Sequence, residues 1–151
     1  GGGVKRAPAL QPLSHGHQHA LAVAVMLRRA DATAAAEAAR AFTRFWHAEG
    51  RAHFHDEEEV LLPAYAEFGD PGHPLVVRVL VDHVTIRQRA RAIERRAPER
   101  IDAAGLQDLG MLLASHVRLE ERELFPLIEA ALPAAALAEV ADALVGAEGA
   151  R

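Results

Sequence analysis

Residues 53–63 read HFHDEEEVLLP, and residues 116–126 read HVRLEERELFP. Both fit His-x3-Glu-Glu-x2-Leu-[Leu/Phe]-Pro, with every matched position offset by 63 residues. Upstream, LSHGHQHAL around His17 and VLVDHVTIR around His83 sit in register at an offset of 66. The chain therefore consists of two tandem units, each supplying a lone histidine and then a His-x3-Glu pair. A spacing of four residues puts two side chains on one face of a helix, one turn apart. His53 and Glu57 share such a face, and so do His116 and Glu120.

The rest of the 151 residues supports a helical reading. The chain carries 33 alanines and only 5% aromatic residues, a composition that favours helices over a sheet. Ser14 has the chemistry of an N-cap for a first helix over about 14–29. Asp31-Ala-Thr33 opens a long second helix that stops near Gly69-Asp70-Pro71-Gly72. Pro74 starts a third, to about Arg96, and Pro98 breaks the chain before a fourth over about 102–132. Pro133 begins a short fifth helix with Leu137, Val140, Ala141 and Leu144 on one stripe. The expected architecture is an all-α, antiparallel up-down-up-down four-helix bundle with an extra C-terminal helix. Its domain spans 13–146, between flexible tails at 1–12, including the Gly1–Gly3 run, and at 147–151.

The paired histidines and glutamates fall on the apolar faces of these helices. The second helix has the inward series Phe42, Trp46, Glu49, His53, Glu57, Val60, Ala64, and the fourth has Leu106, Leu109, Leu113, His116, Glu120, Leu124, Leu127. On the first, His17 continues Leu13, Leu21 and Ala24; on the third, His83 continues Val76, Val79, Leu80 and Ala90. Four histidines and two glutamates thus point into an apolar core. An unpartnered ionised carboxylate there costs several kcal/mol, and two facing each other cost more. Arg87 is the one inward cation in reach. A pair of divalent metals resolves the conflict, and imidazole with carboxylate suits iron, manganese or zinc. The weak joint is the first hairpin. Counted from Ala32, His17 lies 15 residues back and His53 lies 21 forward, a mismatch of about 9 Å at 1.5 Å per residue. A longer loop or a bend near Gly50 must absorb it.

Several classes of function are excluded. No cysteine is present, so disulfides, thiolate zinc sites, cysteine-ligated clusters and cysteine nucleophiles are out. A formal charge of −4 argues against a nucleic-acid partner. The longest apolar run, Ala20 to Leu27, falls short of the about 18 residues that span a bilayer and has neither the basic flank nor the cleavage site of a signal peptide. A cytoplasmic protein without a membrane partner is expected.

These motifs resemble the hemerythrin-like, or HHE cation-binding, family, over about residues 13–130. The resemblance implies metal ligands at His17, His53, Glu57, His83, His116 and Glu120, and a non-haem centre of two iron ions bridged by oxygen and carboxylates. Two departures bear on function. Oxygen-carrying hemerythrins have a second histidine four residues after the third-helix ligand, where this chain has Arg87. They also use an aspartate five residues after the fourth-helix histidine, where this chain has Glu120 at four and Glu121 at five. The resemblance therefore implies the bacterial branch that binds, senses or scavenges oxygen, peroxide, nitric oxide or iron, rather than an oxygen carrier.

The remaining polar residues have plainer readings. His15, His19 and His55 point to solvent, His47 lies at a helix boundary, and His73 lies in a loop. Glu58 and Glu121 sit at the rim of the site, as alternative ligands or supporting bases, with Arg87 in a salt bridge. Trp46 and Tyr65 are core. An oxidase or peroxidase drawing electrons from an external reductase is an alternative use of the same centre. A metal-free helical interaction module is another. The protein is expected as a monomer or homodimer. Ferritin-like iron storage needs Glu-x-x-His, which no histidine here completes.

Overall fold

A computed structural model describes residues 5–97 and 100–151. The Gly1–Gly3 run, and the chain break expected at Pro98, lie outside the described residues. Five helices make up the described chain. α1 is Gln11–Arg28, α2 covers 35–66, α3 is Pro74–Arg95, α4 covers 103–131 and α5 is Ala134–Gly149. The first four form an antiparallel ring in which α1 touches both α2 and α4, and α3 touches both α2 and α4. Among the described residues no helix is long and apolar enough to cross a membrane.

Some helix boundaries differ from the sequence expectation, each for a local reason. α1 begins at Gln11, not at a Ser14 cap, because a 3-10 turn over Pro8–Leu10 runs into it and Pro12 favours a first turn. Leu10 is fully buried, so the segment expected as a tail over 1–12 is anchored from Pro8 onward. α5 is 16 residues long and continues through Gly149, past the expected tail start at 147. Beyond it, the Arg151 guanidinium makes two bonds to the Asp56 carboxylate, at 2.8 and 3.1 Å. Asp31 lies in the turn ahead of α2 and does not cap it, since the N-cap there is Ala34 without a side-chain bond, whereas Asp102 is the N-cap of α4. Asp31 accepts from the Thr33 and Ala34 amides, and Asp102 from Ala104 at 3.1 Å. His73 is the N-cap of α3 rather than an unengaged loop residue, its Nδ1 accepting from Leu75 N.

α2 and α4 are not uniform α-helices. Each contains a wide π turn beginning at its inward glutamate, Glu57–Leu61 and Glu120–Leu124, closed by i→i+5 bonds from Leu62 N to Glu57 O and from Phe125 N to Glu120 O. A third π turn, Trp46–Gly50, closes from Arg51 N to Trp46 O. It falls where the sequence required an irregularity near Gly50. A π turn adds a residue to the helix and rotates everything after it. That is why Glu49, expected inward, is exposed and bonded to His19. It is also why Leu61, Leu62 and Tyr65 are buried in α2, where Val60 and Ala64 were expected. In α4, Phe125 and Ile128 are buried while Leu127 is only partly so. On α3 the expected inward Leu80 is exposed, and Asp82 is buried instead.

The core is split in two. An alanine-rich cluster around Phe42, Trp46, Leu109 and Leu113 fills the end nearer the α1–α2 connection. A second cluster around Leu10, Leu61, Tyr65, Phe125 and Ile128 fills the other end and receives α5 through Val140 and Leu144. α1 shows the division directly: Leu13 belongs to one cluster, Ala20 to the other, and His17 lies between them. α1 and α4 pack backbone to backbone at Gly110, where a Cβ would lie 2.8 Å from Ala24 O.

Candidate metal centre

The layer between the two clusters is polar. His17, Glu57, His83, His116 and Glu120 are buried there, and His53 is nearly so, its side chain 15% exposed. The bundle brings all six sequence-derived candidates together, one histidine from each of α1 to α4 and a glutamate from each of α2 and α4. Their ligand atoms fall into two groups, His17, His53, Glu57 and Glu120, and Glu57, His83, His116 and Glu120, each able to hold a metal ion.

The glutamates belong to both groups, and their oxygens are divided between them. Glu57 turns Oε2 toward His53 Nε2 at 3.3 Å and Oε1 toward His83 Nε2 at 3.1 Å. Glu120 turns Oε1 toward His17 Nε2 at 2.7 Å and Oε2 toward His116 Nε2 at 3.2 Å. All four histidines present Nε2 to this cluster, and the Nε2 atoms of His17 and His53 are 3.1 Å apart. Each tandem unit contributes its own histidine pair, and both share the two carboxylates.

Most of the opposite ring nitrogens are also held. Nδ1 of His17 donates to Glu121 at 2.7 Å, Nδ1 of His83 to Glu58 at 2.7 Å, and Nδ1 of His116 to Asp82 at 3.1 Å. Arg87 donates to Glu58 at 2.6 Å, and Arg6 donates to Glu121 and Glu129, so the two rim glutamates are themselves neutralised. Glu58 and Glu121 thus brace the histidines from behind and do not face the cluster. Sequence reasoning missed Asp82 and Phe54. Asp82 directly precedes the inward His83, just as Glu58 directly follows Glu57, and a carboxylate flanking an inward ligand was the available signal. Phe54, next to His53, stacks on His83 at 3.8 Å between centroids and meets His116 edge-on.

The electrostatics are those of a buried ion cluster. Burial alone would lower the histidine pKa values, but the facing carboxylates outweigh it. His53 is pushed up to about 10 by Glu57 and Glu120. His116 rises to about 10 through Glu120 and Asp82, and His83 to about 9 through Glu120 and Glu57. His17 is raised as well, by Glu120 and Glu121. Burial works to raise the Glu120 carboxyl, yet His116, Glu57 and His17 hold it well below the usual carboxylate range.

Charge alone does not complete the site. Both oxygens of Glu57, Oε2 of Glu120, and Nε2 of His83 and His116 are buried without a hydrogen-bond partner. Leaving such groups unsatisfied costs about 1–3 kcal/mol each, more when charged. All of them converge on the same small region, and the donor set of imidazole nitrogen and carboxylate oxygen is that of a metal site. The residues fit a metal.

His15, His19, His47 and His55 are exposed, and His47 lies inside α2, in the π turn Trp46–Gly50 rather than at a helix boundary, bonded to Glu94. Trp46 and Tyr65 are buried in the two clusters. A family model of the hemerythrin HHE cation binding domain matches residues 11–128. No curated protein and no solved structure matches the chain.

Proposed function

Because the chain belongs to the hemerythrin HHE cation-binding domain family, we propose that its two histidine pairs and two shared glutamates hold two iron ions. The protein uses them to bind, sense or scavenge a small ligand such as oxygen, nitric oxide or peroxide. The observation that carries this reading is the division of each glutamate, one oxygen to each histidine pair. A single ion would leave half of those oxygens and two imidazoles unanswered in the core. Iron bound there supplies redox chemistry and open coordination positions, since about four protein ligands per ion leave an octahedral metal unsaturated.

The protein's own part is to orient, to exclude water and to limit size. A cavity of about 50 Å³ borders His17, His53 and His116 and is lined mainly by Ala20, Phe45, Trp46, Ile86, Leu113 and Val117. It has room for a ligand of a few atoms, and its apolar wall disfavours bulk water. Arg87 is tied to Glu58, so the position of an oxygen carrier's second histidine holds a fixed cation instead.

The test is metal content and visible absorption of protein purified without a metal-affinity column. Two iron ions per chain and a charge-transfer band on adding ferrous iron in air are expected. If His53→Ala or His116→Ala leaves both unchanged, the assignment fails. If chelation leaves the melting temperature unmoved, the metal-free helical module is the better reading, because a bound metal couples to folding.

A further inference from the structure

The two halves of the site are not supported alike. Nδ1 of His83 donates to Glu58, which Arg87 clamps in turn at 2.6 Å, and the ring lies flat on Phe54. Nδ1 of His116 donates to Asp82, and its ring meets Phe54 edge-on. Both rings are 1% exposed. In the other half, His17 is braced by Glu121 and lies against Phe125. His53 differs from the other three. Among the described residues its Nδ1 has no carboxylate, and that edge of the ring faces Gly16, where a Cβ would lie 3.0 Å away. His53 also borders both the 50 Å³ cavity and a more open one of about 390 Å³ between α2 and α5, lined in part by Glu49, Asp56, Glu148 and Arg151.

From this asymmetry we infer that the His83/His116 position is the tighter of the two metal positions and fills first. The His17/His53 position is the weaker and exchangeable one. The inference rests on the two-ion reading above. A carboxylate behind a metal-bound imidazole fixes the ring's tautomer and angle and raises its basicity, and losing such a partner costs about 10–100-fold in metal affinity. Asp82 and Glu58 are therefore positioning residues that act through His116 and His83. The unbraced His53 has no carboxylate to fix its ring angle, and it is also the most exposed of the four histidines. Metal enters and leaves past His53, and the small ligand's cavity borders both histidines of that half but only His116 of the other.

The experiment titrates metal-free protein with Mn²⁺ under equilibrium conditions. In parallel, the occupied position is located by anomalous diffraction at one equivalent of Mn²⁺. Two binding steps separated by about 10–100-fold are expected, with the first ion between His83 and His116. Asp82→Asn is expected to weaken the first step by about the same factor and to move the single ion toward His17/His53. Glu58→Gln is expected to do the same. The metal-free circular dichroism spectrum of each variant checks that the fold is kept, so the shift in occupancy is not one that general destabilisation would produce. Equal occupancy at one equivalent, first occupancy at His17/His53, or equal weakening of both steps by Asp82→Asn would overturn the inference while leaving two ions per chain. A plateau below two ions per chain overturns the two-ion reading, and the inference with it.

Discussion

Loading metal into the metal-free protein at pH 7 is expected to expel about three protons per chain or slightly more. In the metal-free cluster His53 and His116 stand at about 10 and His83 at about 9, so each imidazole is close to fully protonated at pH 7. A metal ion takes the Nε2 lone pair and cannot share it with a proton, while the Nδ1 protons stay on Glu58, Glu121 and Asp82. Three protons must therefore leave, and His17, also raised, adds its own share. Glu120 contributes none, because it is already ionised. Isothermal titration with Mn²⁺ in two buffers of unlike ionisation enthalpy reads the number directly, free of oxidation chemistry. Release is expected to shrink as pH rises through 9 and 10, where the histidines lose their protons without metal. Release below one proton per chain at pH 7, or release that does not change with pH, would refute the reasoning.

The same protonation links stability to pH. Three histidines, His53, His83 and His116, with folded pKa values raised above the ordinary 6.5 stabilise the metal-free fold fully below pH 6.5, and that contribution is lost as pH rises through about 9 to 10; His17, also raised, acts in the same direction. The melting temperature of metal-free protein is expected to fall across this window, and a flat profile between pH 6.5 and 10 contradicts the ion-cluster picture. Gly110→Ala tests the α1–α4 contact instead. The added Cβ would sit 2.8 Å from Ala24 O and 2.9 Å from Arg28 N, so the two helices must separate. A loss of about 1–3 kcal/mol in denaturant unfolding is expected, and a change within about 0.5 kcal/mol would mean that the contact yields freely.

Much of the fold and most of the site follow from spacing. The four-residue step from His53 to Glu57 and from His116 to Glu120 survives in the structure because each is closed by an ordinary i→i+4 bond, the glutamate being the first residue of the π turn that follows. Within and beyond those turns the same arithmetic fails, and Val60 gives way to Leu61 and Leu127 to Ile128. Periodicity carries no mark of an inserted residue, since it assumes 3.6 residues per turn throughout. The prolines did carry a mark. Pro63 and Pro126 stand inside long helices, where a proline loses a backbone bond and crowds the carbonyl four residues back. Both lie just past a π turn, where the bond pattern has already changed. The start of α1 was illegible for another reason. Leu10 is held by tertiary burial, while the Ser14 hydroxyl supplies no cap at all.

The doubled motif also has a consequence that neither copy has alone. Glu58, from the first unit, braces His83 of the second, and Glu121, from the second, braces His17 of the first, both at 2.7 Å. The inward glutamates cross in the same sense, Glu57 Oε1 reaching His83 and Glu120 Oε1 reaching His17. A single hairpin would hold two histidines whose bridging and bracing carboxylates were half missing. Adjacent glutamates on a helix point about 100° apart, so one can enter the core while its neighbour reaches a histidine on the next helix from behind. That is why the motif carries Glu-Glu and not one glutamate. The site thus exists only when both units are folded together, and its stability and its metal affinity are set by the same contacts between them.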